Sequence, residues 1–99
     1  LARIISDGGN GVRAFEKAAE EAFAMAVRTP DRAAPYFVLG SEAAGFVDLY
    51  ERMPVTSAIA EAAQKRFHEH AARLDSVQGD PSGLLAALNE IASDILTGE

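Results

Sequence analysis

Residues 36–50 read YFVLGSEAAGFVDLY, and the fold turns on whether they form a helix or a β-hairpin. Tyr36, Phe37, Val38 and Leu39 favour strands, and a second apolar group, Phe46, Val47, Leu49 and Tyr50, follows the SEAAG segment at 41–45. A half-buried strand would alternate apolar with polar residues, which YFVLG does not, and SEAA holds no Asn-Gly or Asp-Gly turn pair. Tyr36, Leu39, Ala43, Phe46, Tyr50 and Met53 instead recur at helical spacing, and Phe37, Gly40, Ala44 and Val47 make a second stripe beside them. Two adjacent stripes predict a helix buried over most of its circumference. Gly40 and Gly45 lie inside it, each costing about 1 kcal/mol relative to alanine unless a neighbour packs close there.

Upstream, a helix is expected from about Gly11 to Arg28. Val12, Phe15, Ala19, Ala22, Phe23, Ala26 and Val27 form its apolar face, and Arg13, Glu16, Lys17, Glu20 and Glu21 its solvated face. Thr29-Pro30-Asp31 supplies an N-cap hydroxyl, a first-position proline and a carboxylate for the helix dipole. Pro35 would break a helix already under way, so a short turn followed by a helix from Pro35 is predicted. Nearer the start, Leu1 to Ser6 reads as a short strand or the tail of an earlier helix, and Asp7-Gly8-Gly9-Asn10-Gly11 as a turn or loop. That loop has neither GxxxxGK[ST] nor GxGxxG and no lysine, so a phosphate cradle is not expected. The chain opens at Leu1 rather than Met, and residues 1–10 are read as a flexible piece or the remnant of an upstream element.

Downstream, Pro54 ends the decisive helix or opens the next, which runs to about Val77 with Ala60, Ala63, Phe67, His70, Leu74 and Val77 on one stripe. Glu61 and Lys65 on it stand in the favourable order for a pair. Gln78-Gly79 predicts a turn and Asp80-Pro81-Ser82 a capped helix start. The last helix carries Leu84, Leu85, Leu88, Ile91, Ala92, Ile95 and Leu96 and is expected to stop at Gly98. The fold class is therefore all-α: an antiparallel bundle of about four helices in a single domain over residues 1–99. A core this small is marginal alone, which predicts completion by a dimer partner.

Composition narrows the function classes. Nine Lys+Arg against fifteen Asp+Glu give a net charge of −6, which argues against direct nucleic-acid binding by this segment. Zero cysteines exclude disulfides, thiolate zinc sites and thiol nucleophiles. No apolar run approaches the roughly 18 residues of a membrane span, and a soluble, cytoplasmic chain without membrane contact is expected.

Few residues suggest chemistry. In His68-Glu69-His70 the histidines are two apart and point opposite ways on a helix, whereas metalloprotease pairs are four apart. His70 falls on the apolar stripe and is read as a core or edge histidine bonded to backbone, His68 as a surface residue near Lys65, Glu61 and Asp75. Glu42 follows Ser41 in the most hydrophobic helix and could point inward, but exposure is the expectation because glutamate is rarely buried without a partner. No acid, base or metal constellation results, so the chain is expected to have no catalytic residue, metal or cofactor and not to be an enzyme.

The stretch from Ala14 to Leu96, a helix, then TPDRAAPYFVLGSEAA, then a long helix ending RFHEHAARL, then DPSGLLAALNEIASDIL, resembles the C-terminal ligand-binding and dimerisation domain of TetR-type transcriptional regulators. The resemblance implies an all-helical domain holding a small effector among inward-facing side chains, with the last two long helices building a homodimer. The family's DNA-reading helix-turn-helix does not occur in this stretch. No effector-contact motif transfers, so the candidate residues come from periodicity. Phe23, Phe37, Phe46, Tyr50 and Phe67 would bind a small apolar ligand between the first three helices; Leu74, Leu85, Leu88, Ala92 and Ile95 would form the dimer interface. The alternative is a small acidic helical protein-protein interaction protein. In size and composition the chain resembles the WxG-type secretion substrates, with no tryptophan and only Leu39-Gly40 near the motif.

Overall fold

The computed structural model describes residues 11–51 and 53–97, and among them no strand occurs. Four helices follow in order: α1 (Val12–Arg28), α2 (Ala33–Tyr50), α3 (Ser57–Ser76) and α4 (Pro81–Thr97), with a 3₁₀ turn at Pro30–Arg32 between α1 and α2. The expected loop before Gly11 and the stop at Gly98 lie outside the described residues.

The chain from Tyr36 to Tyr50 is helical throughout, as its two stripes require. It begins two residues before Pro35, earlier than the proline suggested. The first turn of a helix leaves its N–H groups without intrahelical partners, so a proline three residues in removes no bond. The carbonyl four residues back belongs to Asp31, in the 3₁₀ turn rather than in the helix. Two further starts are held by side chains. Thr56 Oγ1 accepts from the Ile59 N–H at 3.2 Å and sets the start of α3 after Pro54, and Asp80 Oδ1 accepts from the Gly83 N–H at 3.2 Å at the head of α4. Gly79, at φ +87°, makes the left-handed turn that separates α3 from α4.

Short side chains determine how α1 meets α2, the most extensive helix contact in the bundle. Ala14, Ala18 and Ala22 of α1 and Gly40 and Ala43 of α2 are all buried, which lets the two backbones approach. Gly40 also makes room for an aromatic ring: a Cβ there would meet the Phe23 side chain at 2.7 Å. Large side chains fill the interior toward the other two helices. The Phe15 ring lies 4.2 Å from Phe46, centroid to centroid, and 6.1 Å from Phe67, which it meets edge-on. Leu74, Val77, Ala87 and Ile91 close the core from α3 and α4. The predicted α3 stripe is thus the buried one, with Ala60, Phe67, His70, Leu74 and Val77 all inside.

The decisive helix is less enclosed than its stripes suggest. Leu39, Gly40, Ala43 and Phe46 face the core, whereas Phe37 and Leu49 are each 60% exposed. Three companion helices cover one side of α2; of its second apolar stripe Phe37 is left at the surface, whereas Gly40 is buried and Ala44 and Val47 are half-buried against the core. No described helix is long and apolar enough to cross a membrane.

Candidate functional site

Glu42, His70 and Asp94 are three polar residues set among apolar positions of three different helices, and the fold brings them into one line. His70 is buried on α3; its Nδ1 lies 2.8 Å from Glu42 Oε1 on α2, and its Nε2 lies 3.3 Å from Asp94 Oδ2 on α4. The expected backbone partner for His70 is replaced by two carboxylates. Neither ring nitrogen is left open, so in this arrangement the imidazole ties three helices together and offers no lone pair to a substrate.

The two ends of the line differ. The Glu42 side chain is 12% exposed and that of Asp94 42%. Burial pushes the Glu42 carboxyl above its ordinary value, opposed by the hydrogen bond and charge of His70 and the charge of Arg66, and reinforced by Asp94. Two proton placements satisfy the line. Either the imidazolium donates to both carboxylates, or a protonated Glu42 donates to Nδ1 while Nε2–H donates to Asp94. Both have the same total charge and differ only in where one proton sits along the 2.8 Å contact. Among the described residues no group of three or more His, Cys, Asp or Glu is placed to hold a metal ion.

Beside this line, α2 and α3 splay to form a groove of roughly 390 Å³. From α2 it takes Glu42, Gly45, Phe46, Leu49 and Tyr50, and from α3 Ile59, Ala62, Ala63 and Arg66, each set at helical spacing along one face. Phe15 and Ile95 contribute from the other two helices. The groove exists because Gly45, Ala62 and Ala63 are small; a Cβ at Gly45 would meet nothing within 4 Å. Tyr50 packs on Phe46 at 4.9 Å, so the wall is continuous aromatic surface from Phe15 outward. A second depression of roughly 360 Å³ lies near the 3₁₀ turn, lined in part by Arg32, Tyr36, Leu74 and Gln78. There the Gln78 side-chain oxygen accepts from the Arg32 guanidinium.

The five aromatic residues expected at a ligand site fall into three places. Phe46 and Tyr50 line the groove. Phe67 is fully enclosed in the core against Phe15. Phe23 and Phe37 pair with each other at 6.0 Å on the outer surface of α1 and α2, away from the groove. Of the residues expected at a dimer interface, Leu74 is buried in the core of this chain and Ile95 lines the groove. Leu88 and Ala92 are half-buried, and Leu85 is 61% exposed. Periodicity missed Phe15, Ile59, Arg66 and Asp94 as site residues. The available signal was Asp94 between Ile91 and Ile95, a carboxylate at a position that an apolar stripe would otherwise fill.

These observations define a small all-helical bundle with a partly buried carboxylate-imidazole-carboxylate line beside an open apolar groove. No family model, curated protein or solved structure matches the chain.

Proposed function

We propose that the chain is a helical effector-binding and dimerisation module of a transcriptional regulator, acting by binding rather than catalysis. The groove between α2 and α3 carries this reading: it is concave and mostly apolar, with Glu42 and Arg66 as its charged groups, the usual makeup of a small-molecule site. Self-association is supported by the outer face of α4, where Leu85, Leu88, Ala92 and Leu96 follow at helical spacing and Leu96 is 86% exposed. The test of the groove is a fluorescence titration with the neutral probe N-phenyl-1-naphthylamine. Saturable enhancement by the native chain that Gly45→Leu abolishes, with helicity intact, is the expected result. Equal enhancement by both chains counts against the groove.

A second reading, docking of a partner protein's helix, is favoured by Phe37 and Leu49, two large apolar side chains of α2 that this chain leaves uncovered. A chain that stays monomeric across the micromolar range and binds no probe supports this reading over the first.

A further inference from the structure

We infer that the occupant of the groove is a small molecule with an apolar body and a terminal carboxylate, the carboxylate held by Arg66. This rests on the reading of the groove as a ligand site and adds which chemistry it selects.

Arg66 lies one helical turn beyond Ala62 and Ala63 on the face of α3 that lines the groove, and it is only half-buried. Its guanidinium presents five donors in a planar fork matched to a carboxylate. Among the described residues no acid lies within 4.0 Å of it; the ion pairs join Arg28 to Glu21, Arg73 to Glu90, and His70 to Glu42 and Asp94. Glu42, the acid lining the groove, is already bonded through Oε1 to His70. The groove therefore holds one cation with no acid within 4.0 Å and one carboxyl bonded to His70, on which the Arg66 charge acts at longer range. A guanidinium without a direct acid partner against aromatic and aliphatic walls favours an anionic head, because the pair is less screened there than in bulk water. Phe15, Phe46, Tyr50, Ile59 and Ile95 supply the apolar contact for the body. The second depression differs in its balance of charge, since Asp31 and Asp75 line it beside Arg32.

The test is calorimetric titration of the full chain with decanoate, decanol and decylamine, each below its micelle-forming concentration. Decanoate should bind at least tenfold more tightly than decanol, and decylamine most weakly. Arg66→Gln should bring decanoate down to the level of decanol without changing decanol binding, and Arg66→Lys should restore part of the preference. Equal binding of decanoate and decanol by the native chain, a preference for decylamine, or a decanoate preference that survives Arg66→Gln overturns the carboxylate inference while leaving the groove as a ligand site. Binding of none of the three overturns both. The comparison among ligands on the native chain decides the matter even if Arg66→Gln fails to fold.

Discussion

His70 Nδ1 and Glu42 Oε1 stand 2.8 Å apart across the α2–α3 contact, in surroundings that bury both side chains. The groups around them are largely apolar; Asp94 holds the other ring nitrogen of His70, Arg66 acts on Glu42 through its charge, and no described buried side-chain polar atom is left unpaired. Removing one partner should therefore cost more than removing both. His70→Leu is expected to destabilise the fold by about 3 kcal/mol, since it leaves a buried carboxyl without its partner. The double variant with Glu42→Leu should lose much less than the sum of the two single changes. Urea denaturation of the four chains measures this; additivity within about 0.5 kcal/mol would remove the coupling.

The raised Glu42 carboxyl gives the fold a pH dependence of definite sign. Burial, the largest cause, lifts its folded value above the ordinary 4.5, so the folded state holds that proton more tightly than the unfolded chain does. The associated stability is fully present below pH 4.5 and is lost as the pH rises through the folded value. Relative to Glu42→Gln, which cannot ionise, the native chain should lose stability as the pH is raised across that window. Urea midpoints of both chains measured from pH 4 to 8 give the comparison. A difference that moves in the native chain's favour on raising the pH contradicts the assignment.

Two glycines in one helix should respond oppositely to the same substitution. Gly45→Ala places a methyl in open space and gains the helix preference of alanine, an expected stabilisation of about 0.5–1 kcal/mol. Gly40→Ala drives a methyl into the Phe23 ring, which must move, and should cancel or exceed that gain. Thermal melts of the two variants should differ in sign or clearly in size.

Self-association through α4 should be sensitive at its outer stripe. Leu85→Glu and Leu96→Glu are expected to convert a micromolar dimer to monomer in sedimentation, with helicity unchanged, because both side chains are already in solvent within one chain. A dimer indifferent to both changes but dispersed by Phe37→Glu relocates the interface to α2.

The helices were legible because each depends on neighbours in sequence; of the caps, Asp80 was, whereas the expected Thr29 hydroxyl makes no capping bond and Thr56 was not singled out. Asp80, Pro81 and Gly79 announced the α3–α4 turn, and the α3 stripe named its buried residues from Ala60 to Val77 correctly. The site was legible only in part. Periodicity assigns a residue to a helix face but does not say which neighbouring helix that face meets, so Phe46 and Tyr50 could not be separated from Phe23 and Phe37. The pairing of Glu42 with His70 joins residues 28 apart in sequence, and that of His70 with Asp94 residues 24 apart. His70 was noticeable as a polar residue on an apolar stripe and Glu42 as an acid in the most hydrophobic helix, whereas Asp94 was not singled out; only the packing of three helices joins them. The exposure of Phe37 and Leu49 has the same origin, since the apolar positions of α2 are fixed by local sequence and their cover by how many helices are present.

The central claim, that the α2–α3 groove takes a ligand, is tested most directly by methyl chemical-shift mapping of the native chain during titration with N-phenyl-1-naphthylamine. The account predicts saturable shifts at the methyls of Ile59, Ala62, Ala63 and Ile95, with Val27, Leu85 and Leu96 unmoved. Shifts confined to those exposed residues, or none at any methyl, would contradict it.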